Sequence, residues 1–408
     1  MTRRRTGRRT GAAGALTLVL LAGGAVSPTG TPVAHAEPRA CTEDQVRYVA
    51  DEPSGLARLG ARRAWALATG RGVVVAVIDS GVSTTNAHFP AGSVLPGRSF
   101  VGGPATTDET GHGTAIAGII AARDIGKRSG VVGVAPAATI LPVKISGGES
   151  GGDEAEQRAA NLARGITYAV SAGADVINLS LSTSSDRRDV RSAVAAAVGA
   201  GVVVVASAGN REQATEVKDG LRYPAANPGV LGVAATTGPD EVTEDSIHGP
   251  HVDLAAPGDT VLTTFRTGGD CVLSQQGQST SYATAYVSGA AALLRQRFPS
   301  ASPAELSHRL QSTASRGTRT IRDDLSGWGV VQPYEAMTAV LDDTVAGPVR
   351  PGGAPRASLP PAVSTVDLTP APDPRAPARE TVLWLLLGIA VAVLGLGMGR
   401  MLRVPRGS

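Results

Sequence analysis

An uninterrupted apolar run, Val73 to Ile78, ends at Asp79, Ser80 and Gly81. A half-exposed strand would alternate apolar and polar positions; the unbroken run predicts a strand covered on both faces, as in parallel sheets. Two more segments of this kind, Val176 to Leu181 and Leu254 to Gly258, follow later in the chain. Between such runs lie Ala- and Val-rich stretches that predict helices, at Gln157 to Ala172 and Val190 to Gly199. A small-residue helix is predicted to open at His112 and continue to Ala121, and a long apolar one to open at Ser281 and run to about Arg295. Strands alternating with helices predict an α/β fold of three layers around a mainly parallel sheet. The segment 57–343 is long enough to bury one substantial core.

The two ends are patterned differently. Arg3, Arg4, Arg5, Arg8 and Arg9 precede an apolar stretch from Ala12 to Val26 and then Ala34-His35-Ala36. This predicts a signal peptide over 1–36, cleaved before Glu37. The paired arginines invite a twin-arginine route, but that motif's usual following residues are missing, which favours general secretion. Near the other end, Val382 to Gly399 is uncharged and just long enough to cross hydrocarbon, a buried core helix being the alternative. Arg400, Arg403 and Arg406 after it belong on the cytoplasmic side. The expectation is a single-pass cell-membrane protein with the span at 381–399, a cytoplasmic tail at 400–408 and the folded segment outside the cytoplasm. Residues 344–380, rich in Pro and Ala with isolated charges, predict a semi-extended tether.

Composition adds two points. The formal charge of +3 reflects arginine at the two ends, lysine occurs at Lys127, Lys144 and Lys218, and no nucleic-acid signature is present. The two cysteines are Cys41, in the extension 37–56, and Cys271. Outside the cytoplasm they most simply pair, which would strap the extension onto the folded segment; two unpaired thiols are the alternative. The extension is too short for a folded inhibitory prodomain.

Asp79, His112 and Ser281 stand in that order, at a strand's carboxyl end, at the start of a glycine-flanked helix and at the opening turn of another. Asn210 lies between the last two. Singly these read as a strand-end cap, a satisfied histidine, an N-cap and a turn residue. Together they point to a serine peptidase: a hydroxyl to attack a carbonyl, an imidazole to take its proton, and a carboxylate to fix the imidazole's tautomer. The remaining histidines, His35, His88, His248, His251 and His308, lack such a setting and are expected at the surface or in loops. No Cys/His or Glu/His cluster with metal spacing and no Asp-rich calcium loop is seen, so no metal or other cofactor is expected.

From about Leu56 to Leu341 the chain resembles the subtilisin-like serine peptidases, residue by residue at Asp79-Ser80-Gly81, His112-Gly113-Thr114, Ala208-Gly209-Asn210 and Ser281. Two registers compete for the nucleophile. Choosing Ser279 would put the required downstream helix glycine on Val287, whereas Ser281 puts it on Gly289 and keeps Thr280 in place. Ser281 is the better choice, and Ser279 then replaces a family glycine while Ala285 replaces a frequent proline. The resemblance implies Asn210 as side-chain donor to the oxyanion beside the Ser281 backbone N–H. It also implies that Ser180, Leu181, Ser182, Ser207, Ala208 and Gly209 border the primary substrate pocket.

Within that family, the signal peptide, short cysteine-bearing extension, the run from Leu59-Gly60 to Thr69-Gly70 and the tethered C-terminal helix look like the mycosins. These are membrane-anchored peptidases associated with type VII secretion. The resemblance implies an endopeptidase acting on exported polypeptides at the outer face of the cytoplasmic membrane. Two alternatives stay open: a mainly structural component of a secretion membrane complex, and a general peptidase degrading surface proteins.

Overall fold

Alternate residues of the apolar strands face opposite layers, as the period of two requires. Val75 and Val77 belong to one buried cluster with Ile116, Ala283 and Val287, whereas Ala76 and Ile78 belong to another with Leu162, Ile166 and Val194. The computed structural model that shows this describes residues 41, 46–147, 154–211, 218–238, 240–242, 244–275, 277–317, 321–342, 345–352 and 375–401. They fall into two units, within 1–353 and 354–408. The predicted signal peptide, His35 and most of the predicted tether lie outside the described residues.

In the first unit the strands are β1 (Val74–Asp79), β2 (Arg98–Ser99), β3 (Thr139–Lys144), β4 (Val176–Leu179), β5 (Val203–Ser207), β6 (Val230–Thr236), β7 (Leu254–Pro257), β8 (Val261–Thr264) and β9 (Asp270–Leu273). The first seven form one sheet in the order β2-β3-β1-β4-β5-β6-β7, every pair parallel. β8 and β9 form a separate antiparallel pair. The helices are α1 (Ser54–Arg58), α2 (Ala61–Ala64), α3 (His112–Ala121), α4 (Glu154–Ser171), α5 (Arg188–Gly199), α6 (Thr280–Arg297), α7 (Pro303–Ser312) and α8 (Pro333–Thr338). α3 and α6 cover one face of the sheet with the first cluster, α4 and α5 the other with the second. This is the predicted three-layer architecture. Because β3 lies on one side of β1 and β4 on the other, the strand order reverses at β1 and a crevice opens beyond the carboxyl ends of β1 and β4, where open α/β sheets hold their ligands.

The extension is fastened at β9. Cys41 is disulfide-bonded to Cys271, with Cα atoms 5.9 Å apart, as the sequence suggested. Beside it, Val49 N donates to Asp270 Oδ2 at 2.8 Å, and Asp270 N donates to Arg47 O at 2.7 Å.

In the second unit, α9 (Ala376–Met401) contains the apolar segment Pro377–Leu396, with mean hydropathy 1.8 and no residue of it buried. Its length and composition suffice to cross a membrane.

Candidate active site

Glycine lets α3 meet the end of β1. A Cβ at Gly113 would stand 2.1 Å from Gly81 O, a contact no side chain tolerates. The first turn of α3 therefore presses on the loop after Asp79, and His112 Nδ1 lies 2.8 Å from Asp79 Oδ1. That oxygen also accepts from Ser80 N at 2.8 Å. The carboxylate is 7% exposed and the imidazole 33%, so one ring edge stays open to the crevice. With Nδ1–H donating to Asp79, the tautomer leaves Nε2 as the basic nitrogen. Burial pulls the imidazole's pKa down, but the Asp79 charge, its hydrogen bond and the more distant Asp108 charge outweigh it, leaving His112 above its ordinary value.

Ser281 is the second residue of α6, where the first N–H groups of the helix have no intrahelical acceptor. Its hydroxyl donates to Ser180 O at 3.2 Å, and its carbonyl accepts from Ser180 Oγ at 2.9 Å. Ser180 Oγ is held by Asn178 Nδ2 at 2.9 Å, and Asn178 Oδ1 by Ser288 Oγ at 2.9 Å. A polar chain thus links the end of β4 to α6 on both sides of the hydroxyl. Ser279, where a glycine was expected, has φ −126° and ψ 117°, extended backbone open to any residue. At Gly289, the helix glycine of the Ser281 register, a Cβ would lie 2.6 Å from Val134 Cβ, so α6 packs closely there only with glycine.

Asn210 follows β5 and reaches the same helix end. Its Oδ1 accepts from Thr280 N at 2.9 Å and Thr280 Oγ1 at 2.8 Å. A backbone N–H can only donate, so the amide oxygen faces α6 and the NH2 group is the part left to donate elsewhere. Ser207 Oγ lies 2.6 Å from Thr280 Oγ1 and accepts from Gly209 N at 3.2 Å. Gly209 adopts φ 101°, and a Cβ there would meet Ser182 Oγ at 2.7 Å. Ala208 is wholly buried, while Leu181 packs against the second core cluster. Of the expected pocket residues, Ser180, Ser207, Gly209 and Ser182 are thus neighbours around Ser281 and Asn210, whereas Ala208 and Leu181 support them from the core.

Asp108 is a further functional candidate that the sequence reading passed over. It sits four residues before His112 and is the acceptor for much of the first turn of α3; the clue was a carboxylate shortly before Gly-His-Gly. Tyr282, next to Ser281, was also missed: its ring centroid is 5.9 Å from that of His112, and burial, then the Asp79 charge, push its phenol up to about 12. Of the other histidines, His88, His248 and His251 lie in loops as expected and His308 lies on α7, but none of the four is at the surface: all are buried. Each is buried because it finds a partner there. His88 is bonded to Asp270 Oδ1 at 2.8 Å and Arg123 O at 2.7 Å, and His251 Nε2 to Ala208 O at 3.0 Å. Partner positions far apart in sequence leave no local trace beside the histidine.

Comparison with known proteins gives a consistent picture. The subtilase family profile matches residues 70–329. Mycosin-1 of Mycobacterium tuberculosis is 34% identical over 400 residues, covering 85% of this chain and 84% of that protein. The major intracellular serine protease of Bacillus subtilis is 36% identical over 260 residues, 62% of this chain and 78% of that one. Among solved structures, MycP1 from the ESX-1 type VII secretion system superimposes with a TM-score of 0.66 at 29% identity, covering 75% of this chain and 89% of MycP1. A chain of the intact ESX-5 inner membrane complex gives 0.63 at 26% identity, covering 87% and 93%.

Proposed function

Because this chain belongs to the subtilase family and is a serine peptidase related to the mycosins, we propose that Asp79, His112 and Ser281 are its catalytic triad and that it cleaves exported polypeptides at the outer face of the cytoplasmic membrane. The observation that carries the reading is the Asp79–His112 hydrogen bond, set at the same edge of the sheet as the α6 N-terminus bearing Ser281.

The proposed steps give each of these groups one role. Ser281 Oγ leaves Ser180 O and engages His112 Nε2 as substrate binding tightens the site. Nε2 takes the hydroxyl proton while Oγ attacks the scissile carbonyl, and the imidazolium so formed is stabilised by Asp79. Negative charge grows on the carbonyl oxygen and is met by the Asn210 amide and by N–H groups at the start of α6. His112 returns its proton to the leaving amine, and water then releases the acyl group by the same path in reverse. The pocket bordered by Ser180, Ser182 and the 207–209 turn receives the side chain before the scissile bond.

The helix at 377–396 would anchor the peptidase domain, with Arg400, Arg403 and Arg406 kept in the cytoplasm. Similarity to chains of the ESX-5 inner membrane complex favours work beside a type VII secretion machine, and also a second reading in which the domain stabilises that machine. Full-length Ser281→Ala and a deletion of the protein separate the two. If proteolysis carries the function, both abolish substrate processing while the secretion complex assembles normally with Ser281→Ala. Loss of complex in the deletion but not in Ser281→Ala establishes the structural role. A general surface-protein peptidase would show neither dependence on the complex nor effect on it.

A further inference from the structure

Asp108 is bonded to the backbone and hydroxyl groups around His112 rather than to its imidazole, and it gathers more donors than either residue of the Asp79–His112 pair. Oδ1 accepts from Ser80 Oγ at 2.8 Å, Gly111 N at 2.9 Å, Thr110 N at 3.1 Å and Thr110 Oγ1 at 3.2 Å. Oδ2 accepts from Thr114 N at 2.8 Å and Thr114 Oγ1 at 2.7 Å. These donors come from two places. Ser80 follows Asp79 at the end of β1, whereas Thr110, Gly111 and Thr114 bracket His112 at the start of α3. Ser80 Oγ closes the circuit by accepting from Gly113 N at 3.0 Å, and Thr114 Oγ1 by accepting from Ser83 N at 2.9 Å.

We propose that Asp108 is a positioning residue for the peptidase reaction: its buried carboxylate locks the β1 end to the first turn of α3, so that Asp79 and His112 are held as one rigid pair. The proposal rests on the triad reading above. Both carboxylate oxygens face donors, so an asparagine must turn an NH2 group toward hydrogen-bond donors in either orientation. Serine and threonine hydroxyls could re-aim, but the Gly111 and Thr114 backbone N–H groups cannot.

The loop that carries Asp108 is also pinned from behind. Lys144, at the end of β3 and in register with Asp79, is almost wholly buried, and its ammonium group reaches the Glu109 carboxylate at 2.5 Å and Thr107 O at 3.4 Å. Asp108 is thereby held between two anchors. The charged and titratable groups facing His112 are Asp79 from β1, Asp108 from the preceding loop and Tyr282 from α6. The Glu109–Lys144 pair is a neighbour of the loop that carries both signs. Asp108 adds a second negative charge that favours the imidazolium formed during the reaction, and it contributes to the raised pKa of His112.

The test compares Asp108→Asn, Ser80→Ala and a Ser80→Ala/Thr114→Val double variant with the unaltered full-length protein, on one fluorogenic peptide. Misplacement of a catalytic group by about 1 Å can cost 10²-fold. Asp108→Asn is expected to lower kcat by about 10–100-fold with KM nearly unchanged. The acid-side midpoint of its kcat/KM profile should move to lower pH, because a negative charge near His112 has been removed. Ser80→Ala keeps the charge, so kcat should fall less and the midpoint should stay. Ser281 should still react with a fluorophosphonate in all variants, more slowly; complete loss of labelling in wild type as well would instead sink the triad reading. A folded Asp108→Asn with wild-type kcat and midpoint overturns the proposal. Should Asp108→Asn not fold, a double variant with wild-type kcat overturns it equally, and one with depressed kcat and unshifted midpoint upholds it.

Discussion

Replacing Asn210 with Asp separates two roles that the amide performs together. Its oxygen caps α6 through Thr280 N and Thr280 Oγ1 at 2.9 and 2.8 Å, and its NH2 group is the proposed oxyanion donor. An aspartate keeps the acceptor and puts a negative oxygen where the donor stood. Stability should therefore stay near wild type while catalysis falls. Loss of one oxyanion donor costs about 10²–10³ in kcat, roughly 2.7–4 kcal/mol of transition-state stabilisation, and a carboxylate facing the developing charge can only add to that. Asn210→Ala removes both functions. Thr280 is fully buried, and its N–H would lose its acceptor, although its hydroxyl keeps Ser207 Oγ at 2.6 Å. An unsatisfied buried donor costs about 1–3 kcal/mol, so the alanine variant should be destabilised by that amount and also lose kcat. Steady-state kinetics on a fluorogenic peptide and urea unfolding measure the two effects separately. If Asn210→Asp kept kcat within about threefold, less than 1 kcal/mol of barrier, the amide would not be the donor and the oxyanion would have to be met elsewhere.

Three further outcomes follow from particular groups. His112 must be neutral to act as base and its pKa is raised, so kcat/KM should fall on acidification with a midpoint above that of an ordinary imidazole, and Asp79→Asn should bring the midpoint down as well as lowering the rate; a midpoint below the ordinary value in wild type would contradict the assigned electrostatics. The Cys41–Cys271 bond closes a loop with a sequence separation of 230, for which chain entropy gives roughly 5 kcal/mol; reduction or Cys271→Ser should lower the unfolding midpoint and expose Cys41 to alkylation, and an unchanged midpoint would show that the extension adds no stability. Burial lifts Asp253 from 3.8 to about 6, the Gly232 N–H and Arg322 opposing, so its contribution is most favourable at low pH and declines as pH rises between those values. The shift of about two units corresponds to at most about 3 kcal/mol, so Asp253→Asn should be stabilising at pH 7 and not at pH 3, measured by urea unfolding; equal effects at both would refute the shift.

The parts of the fold most readable from sequence were those whose burial is uniform. β1, β4 and β7 are covered on both faces, so their side chains are apolar without alternation and stand out as runs. α6 announced itself through small and apolar residues, because it is buried over most of its surface. β2, Arg98–Ser99, is too short to carry any period, and its pairing to β3 is supplied by the neighbour. At the site, Asp79 and His112 were legible because each closes or opens a patterned element. Tyr282 was not, since its importance lies in contacts with distant residues, as with Asp79, 203 positions away; Asp108 had a local clue in its place shortly before Gly-His-Gly, but its bond to Ser80 comes from another element. The burial of the histidines was hidden for the same reason: His88 is bonded to Asp270, 182 positions away, and composition around His88 carries no sign of it. Ser279 stands where the family has glycine, and its extended backbone makes no conformational demand that glycine alone would meet.

The central claim is that Ser281 is the nucleophile activated by His112. Mass mapping of the adduct left by a fluorophosphonate probe tests it directly. The modified peptide should carry the label on Ser281, labelling should vanish in Ser281→Ala, fall sharply in His112→Ala, and persist in Ser279→Ala. A label found on Ser279, or one retained at full rate in Ser281→Ala, would contradict the register and the mechanism built on it.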